Sequence, residues 1–285
     1  MSDESRRHDL RETFGEVPEL YDRARPVYPR ALFDDLVELT GLPKGGRILE
    51  IGPGTGQATL PLAQRDFQIM GIELGEGLAS VARRKLQSYP KVQIVNETFE
   101  AWTPLEEPFD AVVAFTAFHW IDPDVRFKKA AEILRAEGAL AIVATNHVRV
   151  AAGDQFWARV QEDYDAIDPN DDNAPPPLPE DVTDSSDEIA AGGYFQNVAA
   201  RRYLWDVVYT ADEYIDVLDT YSGNRRIEPE RRQRLYGAIR QRIEARPDRK
   251  VTKTYLATLN VAQPKGSTTR SESSSRSPRP GTNLA

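Results

Sequence analysis

Between Gly45 and His147 the chain alternates short apolar runs with amphipathic stretches, and this alternation limits the fold more than any other feature. Arg47–Ile51 (RILEI), Gln68–Glu73 (QIMGIE), Val92–Val95, Ala111–Phe115 (AVVAF) and Leu140–Ala144 (LAIVA) have the length and apolar content of strands. Helical stretches at 57–65, 77–88 and after Asp122 separate them. The AVVAF run is apolar on both faces, so it predicts a strand covered from both sides. Parallel strands require crossover helices, which then cover both faces of the sheet. Asp122 followed by Pro123 predicts the cap and first residue of a helix with Phe127, Ala131 and Leu134 as its inner stripe and Gly138 as its stop. The fold class expected is α/β: a mostly parallel sheet with helices on both faces.

The flanks divide by composition. Residues 1–44 are polar except for an amphipathic helix at 31–40, with Leu32, Leu36 and Leu39 on one side and Gly41 as its stop, and read as an N-terminal helical lid. Residues 45–147 form the core just described. Residues 148–194, acidic and proline-rich, read as a cap or specificity insertion with a helix around 153–166. Residues 195–262 return to the core: a strand at Val198–Tyr209 with Tyr203, Trp205 and Tyr209 on one alternating face, helices near 211–221 and 228–245, and a last strand at Thr252–Val261. Residues 263–285, rich in Ser, Thr and Pro, bury too little to fold and read as a disordered tail.

Composition removes several chemistries. The 285 residues include no cysteine and three histidines, His8, His119 and His147. A disulfide framework, a thiolate nucleophile and a cysteine zinc site are excluded, and no metal is expected. A calcium loop at Asp168–Asn173 is rejected, because Asn173 stands where glycine is needed and Pro179 where the bidentate carboxylate is needed. The net charge of −9 gives no overall footprint for nucleic acid or an anionic membrane. No apolar run approaches the roughly 18 residues of a membrane span, and MSDESRRHDL lacks an apolar signal region. The expectation is a cytoplasmic protein, monomer or homodimer.

The sharpest local feature is Glu50-Ile51-Gly52-Pro53-Gly54-Thr55-Gly56, directly after the first strand and before a helix. Glycines there allow a tight turn and a close approach of ligand to main chain. A dinucleotide loop requires G-x-G-x-x-G, and Gln57 stands at its third glycine. No lysine lies in the loop, which excludes a P-loop. Glu50 at the entrance suits a cationic ligand better than a pyrophosphate, and Glu73 at the end of the second strand can accept hydrogen bonds from a ribose diol.

With ILEIGPGTGQATLPLA, GIELGEGLASVAR, FDAVVAFTAFHWID and LRAEGALAIV in this order, residues 47–147 resemble a class I S-adenosylmethionine (SAM)-dependent methyltransferase. YDRARPVYP and the late strands match the family more loosely, and the F-H-W segment after the fourth strand resembles the small-molecule branch that includes trans-aconitate methyltransferase. The resemblance implies a Rossmann-like, seven-stranded, mostly parallel sheet, SAM as cofactor, S-adenosylhomocysteine as its product, and a small-molecule acceptor methylated at a carboxylate or hydroxyl. It places Glu50 and the Gly52, Pro53, Gly54, Thr55 and Gly56 backbone at the methionine portion, Glu73 at the ribose, and Leu74, Thr98 and Phe99 at the adenine. Glu100 would reach the exocyclic amine, and Phe115 and Thr116 would face the methionine amine or methyl. Core packing is the alternative for Leu74 and Phe99, and a solvated carboxylate for Glu100. Pro61 would delay or kink the first helix of the core.

Ligands of open α/β sheets bind beyond the carboxyl ends of the strands, where His119 and His147 both fall. A hydroxyl acceptor needs a base, and His119 is the candidate, with Trp120 as pocket wall and His147 as a further substrate contact. A hydrogen-bonded histidine without chemistry is the alternative for each. Arg25 and Tyr28 could fold over the site, with Arg25 pairing a substrate carboxylate or standing as a surface arginine. Two other classes remain: a methyltransferase fold that does not methylate, such as a cyclase or SAM-binding module, and a macromolecule methyltransferase, disfavoured by the acidic charge and the lack of an N/D-P-P-Y-like motif.

Overall fold

The structure, a computed structural model, describes residues 17–104, 107–150, 155–167 and 175–266. His8, the 168–173 loop and the tail beyond Gly266 lie outside these residues.

Seven strands form one sheet in the order β3-β2-β1-β4-β5-β7-β6. They are β1 (Arg47–Ile51), β2 (Gln68–Glu73), β3 (Val92–Asn96), β4 (Phe109–Phe115), β5 (Leu134–Val148), β6 (Phe195–Thr210) and β7 (Lys250–Pro264). The first five pair in parallel, whereas β7 runs antiparallel between β5 and β6. The order reverses between β1 and β2 on one side and β4 on the other, which opens a crevice above the carboxyl end of β1.

Successive strand residues serve opposite cores. Ile48, Val113, Ala141 and Leu259 pack with Leu32, Phe33 and Leu36 of the helix Arg30–Thr40. Leu49, Val112, Ala114 and Ile142 pack with Phe127, Ala130 and Ile133 of the helix Pro123–Ile133. This alternation is the period of two that a strand buried on both faces requires. Asp122 caps the second of these helices, its carboxylate accepting from Asp124 N–H at 2.9 Å.

We label the helices in chain order: α1 (Pro18–Ala24), α2 (Arg30–Thr40), α3 (Thr59–Ala63), α4 (Glu76–Lys85), α5 (Pro123–Ile133), α6 (Phe156–Ile167), α7 (Ser186–Ala191), α8 (Ala211–Leu218), α9 (Ser222–Arg225) and α10 (Pro229–Glu244). A third core joins α6, α8 and α10 to β6 and β7 through Phe156, Tyr214, Leu235, Ile239 and Tyr255. The inserted residues after β5 are tied to the sheet, because Asn260 of β7 accepts from Ser185 N–H and donates to Asp184 and Ser186. No helix among the described residues is long and apolar enough to cross a membrane.

The structure differs from the sequence expectation in three places. First, α5 ends at Ile133 rather than near Gly138. Leu134 pairs with Phe109 as the first residue of β5, and Arg135 reaches the buried Asp110 carboxylate at 2.6 Å. The inner stripe of α5 is accordingly Phe127, Ala130 and Ile133. Second, α3 spans only Thr59–Ala63 within the expected 57–65, with the late start that Pro61 predicts, and Pro61 falls in its first turn, where no intrahelical N–H bond is lost. Third, β7 runs on to Pro264, so the segment from Gln263 is sheet rather than tail at its start.

Candidate active site

The loop after β1 turns on three glycines with positive φ, 64° at Gly52, 58° at Gly54 and 84° at Gly56. A Cβ on Gly52 would lie 2.6 Å from the Ala117 Cβ, so only glycine fits between this turn and the end of β4. Glu73 latches the loop from the neighbouring strand. One of its carboxylate oxygens accepts from Gly54 N–H at 2.9 Å and the other from Gly75 N–H at 2.8 Å.

Glu50 lies beneath this loop, 1% exposed, and neither of its carboxylate oxygens has a hydrogen-bond partner. Burial raises its pKa to about 7, against the lowering effect of the nearby Thr59 hydroxyl, which falls short of hydrogen-bond geometry, and the charge of Glu73 adds to the rise. Thr55 and Thr59 are also fully buried with unpaired hydroxyls. An unpaired buried carboxylate is costly. One that borders a cavity is suited to a ligand that brings N–H donors and positive charge.

Two cavities meet at the loop. The first, of about 370 Å³, is bordered by Glu50, Tyr28, His147, Trp157, Trp205 and Lys253 among others. The second, of about 300 Å³, is bordered by Glu73, Leu74, Thr98, Phe99, His119 and Trp120 among others. Arg25, Gly54, Phe115, Thr116 and Tyr221 border both, as do Tyr21, Gly52 and Thr145, which makes them the junction. Leu74 is 36% exposed, an open apolar face at the end of β2. Phe99 is buried in the core and carries the Lys129 ammonium 5.1 Å above its ring. Thr98 Oγ1 is engaged locally, accepting from Ala101 N–H. Pro53 borders the first cavity with Gly52 and Gly54, whereas Thr55 and Gly56 border neither. Glu100 borders neither as well, and accepts from Asp122 N–H at 3.2 Å.

The histidines separate. His119 sits on the short 3-10 turn Phe118–Trp120, its ring 4.7 Å from Trp120, at the rim of the second cavity. Partial burial and the charge of Arg126 hold its pKa below the usual value. His147 lies within β5, paired with Tyr255, rather than beyond the strand as expected, and borders the first cavity, 4.4 Å from the Trp157 ring, with Nε2 unpaired. Burial and the nearby Lys253 charge push its pKa down to about 2, so it is a neutral hydrogen-bonding group at any ordinary pH.

Strain and packing position the junction. Thr116 follows β4 with φ of 54° and shares its hydroxyl with Thr145 and Tyr28, both at 3.3 Å. The Tyr28 ring meets Phe115 edge-on at 5.1 Å, and burial pushes its phenol up to about 12. Arg25 leaves α1 with its guanidinium over the Tyr21 and Tyr221 rings, at 4.7 and 4.4 Å, and donates to the Thr220 carbonyl at 3.0 Å. The helix α1 is pinned across the crevice by Asp22–Lys85 at 2.7 Å to α4 and Arg23–Asp216 at 3.0 Å to α8.

Sequence reasoning missed Lys253, Tyr221, Tyr255 and Trp157. Lys253 is 2% exposed and shares a strand face with Val251, Tyr255, Ala257 and Leu259. A lysine on the apolar face of an alternating strand is the signal that pointed to it.

Residues 48–138 match a methyltransferase domain family. Over these residues the chain is similar to a methyltransferase domain. It is 31% identical over 137 residues to an uncharacterized methyltransferase of Mycobacterium tuberculosis, a match covering 48% of this chain and 54% of the relative. It is 28% identical over 150 residues to a Saccharomyces cerevisiae protein assigned as an S-adenosylmethionine-dependent methyltransferase, covering 50% of this chain and 46% of that one. The chain thus spans about half the length of these curated relatives.

Among solved structures, a proposed type II methyltransferase from Anaeromyxobacter dehalogenans superposes with a TM-score of 0.61 at 21% identity, covering 84% of this chain and 97% of that one. A proposed methyltransferase of an Anabaena variabilis antibiotic pathway superposes at 0.55 and 15% identity, covering 81% and 98%. These likenesses show the methyltransferase fold. The loop fits SAM by its own chemistry, since the unpaired Glu50 carboxylate faces the cavity where an ammonium ligand would bind and Glu73 and Leu74 offer an acceptor and an apolar face beside it.

Proposed function

We propose that this chain transfers a methyl group from SAM to a small-molecule acceptor seated in the first cavity. When bound, SAM supplies a methyl that is already electrophilic, so the protein need only hold, align and desolvate. Glu50 would hold the methionine ammonium, Glu73 the ribose hydroxyls, and Leu74 with the Thr98–Phe99 backbone the adenine. Phe115 and Thr116, at the junction, would orient the methyl toward the acceptor. Arg25, Tyr28 and His147 would contact the acceptor, and α1 with the inserted helices would cover it.

His119 borders the second cavity rather than the first, which favours an adenosine-side contact over a role as base. The acceptor is expected to be a metabolite or natural product of the resemblance's small-molecule branch, and the enzyme a cytoplasmic monomer or homodimer. The single observation that carries the reading is the buried, unpaired Glu50 carboxylate under the glycine loop.

Methyl-labelled SAM, incubated with the full chain and an extract of the host cell, tests the reading. Label in a small-molecule fraction supports it. Label confined to protein or nucleic acid, or no transfer at all, would overturn it.

A further inference from the structure

Arg25 and Lys253 come from opposite ends of the chain to the wall of the first cavity, and neither pairs with a carboxylate among the described residues. A buried ammonium needs a compensating partner. Lys253 Nζ has one oxygen partner, the phenol of Tyr221 at 3.1 Å, and lies 4.9 to 5.5 Å from the Tyr221, Tyr255 and Tyr214 ring centroids. The Arg25 guanidinium lies over the Tyr221 ring, 4.4 Å from its centroid. Tyr221 itself borders both cavities, at the point where acceptor and methyl would meet.

We propose that Tyr221, in contact with both Lys253 and Arg25, is the general base for an apolar acceptor that carries a hydroxyl. This rests on the methyl-transfer reading and narrows its acceptor. A carboxylate acceptor needs no base. The walls of the cavity, Trp157, Trp205, Tyr28 and Phe115, suit an apolar or aromatic body. The Tyr221 phenolate takes the proton of the acceptor hydroxyl as the acceptor oxygen forms its bond to the methyl carbon. The methyl–sulfur bond breaks with its electron pair left on sulfur, giving neutral S-adenosylhomocysteine, a methyl ether and a protonated Tyr221.

The groups facing Tyr221 agree with this. Lys253 and Tyr255 approach from β7, Arg25 and Tyr21 from α1 and its end, Tyr164 from α6, Tyr214 from α8 and Tyr209 from β6. Burial alone would raise the phenol. The charges on Lys253 and Arg25, with hydrogen bonds from Lys253 and Tyr255, outweigh it and bring the phenol below its ordinary value. Tyr209 and Tyr255 share a hydroxyl contact at 3.1 Å, which continues the chain of phenols away from the junction.

The test uses the full chain with ring-13C tyrosine, followed by NMR across pH without any cofactor. The chain has 11 tyrosines. One signal should ionise below the ordinary value of about 10, vanish in Tyr221→Phe and return upward in Lys253→Met. If no tyrosine of the unmutated chain ionises early, or if the early signal survives in Tyr221→Phe, the inference is overturned, and the first of these outcomes needs no variant to fold.

Calorimetry with S-adenosylhomocysteine separates this from the parent reading. Retained binding with an ordinary Tyr221 removes the base alone, whereas lost binding in the unmutated chain removes both. With labelled SAM and host extract, Tyr221→Phe should lower small-molecule labelling by about 10²- to 10⁴-fold. Unchanged labelling would also overturn the role.

Discussion

Gly54 N–H donates to Glu73 Oε2 at 2.9 Å, so the turn after β1 is fastened to the end of β2 by the residue that would also hold the ribose. The other Glu73 oxygen accepts from Gly75 N–H, which fixes the start of α4 with the same side chain. Glu73→Gln would set an amide donor against one of these two N–H groups. S-adenosylhomocysteine affinity should fall by about 1.5–3 kcal/mol, the range for hydrogen bonds to charged groups. Calorimetry on both proteins reads the difference, and equal affinities would count against the assignment of Glu73.

Gly52 tests the tightness of the turn. An alanine there meets both a left-handed backbone and the Ala117 Cβ at 2.6 Å. Gly52→Ala should cost about 2–4 kcal/mol from the conformational and steric terms together. Gly41 has the same φ of 64° with nothing within 4 Å, so Gly41→Ala should cost only about 1–2 kcal/mol. Denaturant unfolding of the two variants separates space from strain.

Glu50 predicts a pH dependence with a definite sign. Its folded pKa is raised from 4.5 to about 7, so the folded chain keeps a proton that the unfolded chain gives up. Stability from this group is full below about 4.5 and is lost as pH rises through about 7, by up to about 3 kcal/mol. Glu50→Gln should remove that decline. A ligand with an ammonium favours the charged carboxylate, so binding near pH 6 should release protons. Calorimetry in buffers of different ionisation enthalpy measures this release in the wild type and should find it missing in Glu50→Gln.

His147 gives the opposite sign. Its folded pKa is depressed to about 2 from 6.5, so its contribution is full above 6.5 and is lost as pH falls toward 2. His147→Phe should therefore be less sensitive to acid between pH 6.5 and 4 than the wild type, as read by thermal unfolding across that range. The variant should also leave any pH limb of the reaction near neutrality in place, because a neutral imidazole with so low a pKa does not titrate there.

Much of the sheet was readable because buried parallel strands write their own signature. Phe109–Phe115 is buried at every position, and its sequence is apolar except for Asp110. The glycine loop was readable for a similar reason, since its turn admits few side chains. The end of α5 was not, because Leu134 fits a helical stripe with Phe127 as well as it fits a strand pairing with Phe109, and only the long-range Arg135–Asp110 contact decides between them.

The two cavities were harder still. Lys253, Tyr221 and Arg25 converge only through the antiparallel β7, the turn after α8 and the helix α1, so no local window contains them. His119 lies just past the end of β4, where the strand pattern puts it. Which side of the junction it occupies depended on the 3-10 turn that carries it.

Titration of the full chain with S-adenosylhomocysteine by calorimetry, run in parallel with NAD, tests the central claim most directly. One equivalent should bind, more weakly in Glu73→Gln, with no binding of NAD because Gln57 closes the dinucleotide pattern. Binding of NAD without binding of S-adenosylhomocysteine would contradict the account.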